Sequence, residues 1–181
     1  DDVARVGATL IDTPVSGSVS SVQSGKLLVM AGGDEAALAR AQPVLAAFAS
    51  RVISLGPLGS GATMKLVVNS MVHGLNAALA EALVLAEKAG VVRSAAYEVI
   101  ASSAVAAPFV LYKRAAYENP DDTPVAFALD LVAKDLDLAA TLAARVGADV
   151  PQLVTNRAVV QRAIDAGLGQ ADLSALATLL R

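Results

Sequence analysis

Residues 62–89, ATMKLVVNSMVHGLNAALAEALVLAEKA, hold no proline and a single glycine, Gly74, before Gly90 closes the run. Apolar residues recur every three or four positions, which is the period of an α-helix and not of a strand. Gly90 supplies a natural C-cap, since a left-handed terminal residue ends a helix without a Cβ penalty. The run reads as one helix of roughly 40 Å at 1.5 Å per residue. It divides the chain into an upstream part with strand periodicity and a downstream part that is helical throughout.

Upstream, residues 8–15 (ATLIDTPV) are apolar and β-prone up to Pro14, and residues 26–31 (KLLVMA) form a second apolar run between Gly25 and the Gly32-Gly33 pair. Both are expected as buried strands. Asp34 is expected to cap a helix running through Phe48, with Glu35 near the positive end of its dipole. Residues 51–55 (RVISL) give a third strand. Strand, loop, strand, helix, strand up to about residue 58 is the edge of an α/β sheet. Downstream, helices are expected at about 93–103, 106–118, 125–146, 152–166 and 172–181, broken at residues 120–124, 147–151 and 167–169. The sequence opens on Asp1, and residues 1–6 read as the tail of a helix entering a strand, so the chain is expected to begin partway through a fold.

Composition removes several function classes. With 181 residues the chain can bury a sizeable core, as one large domain or as a modest domain plus part of another. Its hydrophobic fraction is 55% and its mean hydropathy +0.58, but the excess is alanine, valine and leucine at helical spacing. No apolar run is expected to approach the ~20 residues that cross a bilayer, so no membrane partner is expected. Aromatic residues make up 3% with no tryptophan, which argues against a stacking platform. A net charge of −3 without a basic run argues against nucleic acid and anionic membranes. Cysteine is absent, which excludes disulfides and zinc-thiolate sites and suits a reducing cytoplasm. One histidine, His73, cannot build a multi-histidine metal site, and no metal is expected. Lysine, carboxylates and hydroxyls remain for chemistry.

The long helix opens with Gly59-Ser60-Gly61-Ala62-Thr63-Met64-Lys65, and Asn69 follows four residues later. Positions i and i+4 share a helix face, so Lys65 and Asn69 project together. His73 and Asn76 extend a polar stripe on a helix otherwise lined by Leu66, Val67, Met71, Leu75 and Leu79. Two readings stand. The stripe is a solvated face, or Lys65, beside a helix N-terminus among apolar groups, has a lowered pKa suited to proton exchange with a substrate hydroxyl. Position alone does not choose between them.

A second feature is residues 12–18, DTPVSGS, where a strand ends in a small-residue loop. Glycine admits a ligand close to backbone, and serine hydroxyls with exposed amides can hold a carboxylate; an ordinary strand exit is the plainer account. Residues 56–61, GPLGSG, follow a strand and precede a helix, but the next glycine of a dinucleotide loop falls on Met64, and no P-loop lysine follows. Lys134 and Asp137 read as a simple i, i+3 surface pair. His73 reads as a helix-packing or interface residue.

Taken together these segments resemble the β-hydroxyacid dehydrogenase family, which includes 3-hydroxyisobutyrate dehydrogenase and the tartronate semialdehyde and glyoxylate/succinic semialdehyde reductases. The family's Asp-Ala-Pro-Val-Ser-Gly-Gly loop is similar to residues 12–18. Its Gly-x-Gly-x-x-x-Lys-x-x-x-Asn pattern matches Gly59, Gly61, Lys65 and Asn69 without a gap. Its Lys-Asp-Leu-x-Leu-Ala segment stands at residues 134–139, and its late Gly-x-x-x-x-Asp-x-Ser-Ala pattern at residues 167–175.

The resemblance implies a mainly α protein: the last strands and helix of a Rossmann-type α/β sheet (1–58), then a 6-phosphogluconate-dehydrogenase-like all-α domain for substrate binding and dimerisation (59–181), entered by one long inter-domain helix. It implies NAD or NADP as cofactor, Lys65 as catalytic acid/base, Ser16, Gly17, Ser18 and Asn69 as binders of a small carboxylate-bearing substrate, and Lys134 reaching the cofactor. It also implies a homodimer or homotetramer through the helical domain. Ser18 departs from the family's glycine, which leaves substrate choice open. The Gly-x-Gly-x-x-Gly loop of the family's dinucleotide domain is absent from this sequence, and most of that domain is expected to be missing. Two other readings belong to the same fold: an imine reductase, which usually lacks a lysine at position 65, and a non-catalytic oligomerisation module. Retention of Lys65 and Asn69 favours the dehydrogenase.

Overall fold

A short helix, α1 (Asp2–Arg5), leads into an extended segment that becomes a strand only at β1 (Val15–Ser16). The computed structural model describes residues 2–181. The strand expected over residues 8–15 is thus corrected to two residues, for a reason of pairing. A strand needs a ladder, and residues 8–11 have none among the described residues; Asp12 makes one isolated bridge, to Gly32. Pro14 accepts from Met30 N at 2.9 Å but has no N–H to return.

The loop after β1 contains a helical turn, α2 (Val19–Gln23), which the sequence reading did not anticipate. β2 (Leu27–Ala31), α3 (Glu35–Leu45) and β3 (Ala49–Ser54) follow. The sheet order is β1-β2-β3, with β1 antiparallel to β2 and β2 parallel to β3. A parallel pair requires a crossover, which α3 supplies. Asp34 caps α3 by accepting from Ala37 N at 3.1 Å, as its position implied. The helix stops at Leu45, short of Phe48, two residues after Pro43 removes an internal donor. Val29, Ala31, Leu38 and Leu45 form the core between sheet and α3.

The chain divides into two compact units, the first reaching to Val68 and the second running from Asn69 to Arg181. The boundary falls inside α4 (Ser60–Lys88), the long helix expected from residue 62. The second unit continues with α5 (Arg93–Ala101), α6 (Pro108–Glu118), α7 (Leu129–Val146), α8 (Pro151–Ala163) and α9 (Leu176–Leu179). Pro108 and Pro151 open their helices, where a missing N–H costs nothing. Tyr97, Tyr117, Leu83, Leu129, Leu136 and Leu176 are its largest buried apolar side chains. Buried alanines at 133, 139 and 143 leave α7 with a narrow inner face.

Two helix starts expected at 125 and 172 are corrected. Ala128 and Asp172 are extended and form an isolated antiparallel bridge, beside which Leu173 N donates to Phe127 O at 2.9 Å and Leu129 N to Ala171 O at 3.0 Å. The cause is Asp172, whose carboxylate accepts from Ala126 N, Phe127 N and Ser174 N and receives buried Lys113 Nζ at 2.7 Å on both oxygens. Such a hub holds backbone that would otherwise continue a helix.

Among the described helices, α4 has the length and apolarity of a membrane span, which corrects the expectation that no run approaches that threshold. Ala77, Leu79, Ala80, Leu83 and Val84 on that helix are nonetheless buried in the second unit's core, alongside buried His73 and Asn76. Packing thus accounts for part of the apolar surface of α4, while Val67, Met71 and Leu85 are exposed.

Glu87, near the end of α4, accepts from Arg93 at 2.5 and 2.7 Å and from Arg181 at 3.1 Å, while Arg93 also donates to Tyr117 O. The Arg93 guanidinium, opposed by burial and helped by Arg181, lowers the Glu87 carboxyl from an ordinary 4.5 to about 2. A depressed acid stabilises the fold above its unfolded value and loses that stabilisation as pH falls through the folded one. Thermal stability is therefore expected to decline between pH 4.5 and about 2. Glu87→Gln should flatten that part of a melting-temperature profile; an unchanged profile would count against the linkage.

Candidate active site

The first turn of any α-helix leaves amides without helical partners. In α4 they are met from a distance: Gly59 N donates to Asp12 Oδ1 at 2.7 Å and Ala62 N to Asp12 Oδ2 at 2.6 Å. The two glycines flanking Ser60 then acquire reasons. Gly59 has φ +95°, which favours glycine, and a Cβ on Gly61 would press on Met30 O and lie 2.8 Å from Asp12 Oδ2. With its amides turned to a carboxylate of the same chain, this helix start is closed to a phosphate. Sequence reasoning placed Asp12 in a substrate loop and missed its capping role, because nothing local links residues 12 and 59.

Lys65 lies just beyond the first turn. Its Nζ donates to Val15 O at 2.8 Å, and the side chain is partly buried. Asp12 and Val15 therefore both tie the strand-exit segment to α4, and Lys65 is brought to residues 15–18. Ser16 is half-buried and Gly17 exposed. Gly17 has φ +148°, and an added Cβ would lie 2.7 Å from Leu27 Cδ2 and 2.8 Å from Ser21 Cβ, so glycine is required there. Ser18 N donates to Ser21 Oγ at 3.1 Å, and the two hydroxyl oxygens are 3.3 Å apart. Ser18 is thus in hydrogen-bond contact with Ser21, at the start of α2. Ser21 was not singled out from sequence.

The remaining candidates belong to the second unit. Asn69 Nδ2 donates to Asp135 Oδ2 at 2.7 Å. Asp135 Oδ1 is 3.1 Å from Lys134 Nζ, and the Lys134 side chain is 59% exposed. His73 is buried, with Nε2 3.7 Å from Asp135 Oδ2 and its ring 5.8 Å from that of Phe127. Asn76 is buried too, donating to Leu173 O at 2.9 Å and accepting from Tyr117 Oη at 2.7 Å. The inner part of the polar stripe on α4 is thus structural. Asp137 pairs with Arg157 at 2.7 Å and not with Lys134, a correction to the expected surface pair. Arg157 holds the Asp137 carboxyl below its usual range. Asp135 was missed as a site residue, though it sits beside Lys134 in a segment already noted.

An α/β edge is followed by an all-α unit, and a lysine is held against the exit of a strand. A family profile described as the NAD-binding part of NADP-dependent 3-hydroxyisobutyrate dehydrogenase matches residues 59–180, and one described as the NAD binding domain of 6-phosphogluconate dehydrogenase matches residues 1–56. Glyoxylate/succinic semialdehyde reductase 1 of Arabidopsis thaliana is 31% identical over 170 residues, covering 94% of this chain and 58% of that protein. The crystal structure of a Salmonella typhimurium 3-hydroxyisobutyrate dehydrogenase superposes with a TM-score of 0.91 at 32% identity, covering 98% of this chain and 62% of that one. The Mycobacterium tuberculosis 3-hydroxyisobutyrate dehydrogenase with L-serine gives 0.83 at 31% identity, covering 99% and 64%. The chain belongs to the 3-hydroxyisobutyrate dehydrogenase-like family of β-hydroxyacid dehydrogenases. It spans about 60% of the length of the relatives it matches.

The capping geometry is testable through stability. Asp12→Ala should cost on the order of 1–2 kcal/mol by leaving two helix-start amides unmet, and Gly61→Ala about 1–3 kcal/mol by overpacking. Denaturant melts measure both, and hydrogen exchange should quicken at Ala62 in Asp12→Ala. Wild-type protection there in Asp12→Ala would contradict the cap.

Proposed function

We propose that this chain takes part in the NAD- or NADP-dependent interconversion of a small β-hydroxyacid and its semialdehyde, with Lys65 as the acid/base. The observation that carries the reading is the placement of Lys65 Nζ 2.8 Å from Val15 O, next to residues 16–18. The ammonium donates to a backbone acceptor at the edge of a small-residue loop. In the reducing direction Lys65 gives a proton to the substrate's carbonyl oxygen as that carbon gains a hydride; in oxidation the alcohol proton returns to Lys65. Ser16, Gly17 and Ser18 hold the substrate carboxylate through hydroxyls and backbone, and Asn69, one turn along α4, hydrogen-bonds the reacting end. Fixed donors of this kind stabilise charge that develops on the oxygen.

The bound nicotinamide cofactor supplies or accepts the hydride. The described residues offer it an exposed cation in Lys134, while the start of α4, filled by Asp12, does not serve as its pyrophosphate site. Residues 1–58 are read as the last part of the dinucleotide-binding domain and residues 59–181 as the substrate and dimerisation domain of a soluble, cytoplasmic enzyme. Exposed Met71 and Leu85 on α4 suit association of the helical domain as a dimer or tetramer.

The test joins the chain behind a dinucleotide-binding domain that carries a glycine-rich loop and measures reduction of small semialdehydes with NADH and NADPH. Lys65→Ala should lower kcat by about 10²–10⁴. A loss of only a few-fold would remove Lys65 from the acid/base role.

A further inference from the structure

A carboxylate can only accept, and Asp135 Oδ2 accepts from Asn69 Nδ2 at 2.7 Å while Oδ1 forms an ion pair with Lys134 Nζ at 3.1 Å. Asp135 is 8% exposed, so its contacts are shielded from water and hold geometry more firmly than a surface pair. The amide of Asn69 has two orientations, exchanging its oxygen and nitrogen. Only one is compatible with Asp135, because the other sets a carbonyl oxygen against a carboxylate oxygen. Asn69 itself is partly buried.

We propose that Asp135 is a positioning residue that fixes the Asn69 amide with its carbonyl oxygen turned away from Asp135, as an acceptor for a hydroxyl donor on the ligand. This rests on the reading of Asn69 as a substrate-binding residue given above. It adds a selection rule: the second unit discriminates for a ligand hydroxyl, and the carboxylate is recognised by other groups. The same carboxylate carries Lys134 on its other oxygen, so the residue assigned to the cofactor and the residue assigned to the substrate share one anchor.

The experiment uses two probes of similar size, 3-hydroxyisobutyrate and isobutyrate, which lacks the hydroxyl, titrated into the isotope-labelled chain and followed by NMR. Wild type should show an Asn69 side-chain amide with one proton displaced downfield by the carboxylate, and should bind the hydroxylated probe more tightly. Asn69→Ala and Asp135→Ala should each weaken 3-hydroxyisobutyrate about fivefold, the worth of a neutral hydrogen bond, and leave isobutyrate unchanged. Asp135→Asn, which keeps an acceptor oxygen but not the charge, should restore binding to within about threefold of wild type while the Asn69 amide proton moves back upfield. If Asp135→Ala does not fold, the Asp135→Asn comparison and the wild-type amide spectrum decide the matter. Loss of affinity in Asn69→Ala but not in Asp135→Ala overturns the positioning role alone. No loss in Asn69→Ala overturns the reading of Asn69 beneath it. An Asn69 amide averaged as in an exposed side chain overturns the fixed orientation.

Discussion

The carboxylate of Asp12 at the start of α4 is the contact on which the placement of the catalytic candidate depends. Two short charge-assisted hydrogen bonds join it to amides that a helix of 29 residues would otherwise leave unmet. Its charge also complements the positive end of the helix dipole, a term of up to ~2 kcal/mol in partly buried settings. Because Gly32 and Gly61 approach so closely, the start of α4 is seated directly on the end of β2. Lys65 is four residues beyond Gly61, and at 3.6 residues per turn it emerges one turn further along the helix. Its bond to Val15 is a geometric consequence of that seating, since Asp12 and Val15 belong to one short segment.

The second unit solves a different problem with similar means. Its helices must leave a break between α6 and α7 and another before α9, and both breaks carry backbone that needs partners. Asp172 serves them together, bonding amides at 126, 127 and 174 while Lys113 balances its charge. Burial pushes the Asp172 carboxyl up, and Lys113 with the Ser174 contacts outweighs it, so the group stays below the usual carboxylate range. Removing either partner would strand a buried charge, which makes the pair obligatory even where its net contribution is small.

The helices and two of the three strands were legible in the sequence because their signals are local: apolar period, a capping Asp34, prolines at first turns, glycines at ends. The failures share a cause. Residues 8–11 have strand composition but no ladder, residues 125–128 and 172 have helical composition but are held extended by Asp172, and α2 arises from the Ser18 and Ser21 exchange in a loop that looked irregular. Each is decided by a partner distant in sequence or by one hydroxyl. The site divides the same way. Lys65 and Asn69 were singled out by helical spacing together with the family resemblance, whereas the contacts of Asp12 with Gly59 and of Asp135 with Asn69 span 47 and 66 residues.

The polar stripe on α4 shows how one sequence pattern can hold unlike roles. Lys65, Asn69, His73 and Asn76 follow at helical intervals, and the reading from spacing alone treats them as a set. Their partners separate them. Asn76 has its amide donor and its oxygen committed to Leu173 and Tyr117 in a core, and His73 lies buried against Phe127 and near Asp135. Lys65 and Asn69 are only partly buried, Lys65 donating to Val15 O and Asn69 to Asp135. A side chain whose hydrogen-bonding capacity is exhausted inside the protein can stabilise but cannot read a ligand. Lys65 and Asn69, the less buried pair, are the two of the four that the proposed reading assigns to chemistry, whereas His73 and Asn76 pack within the fold.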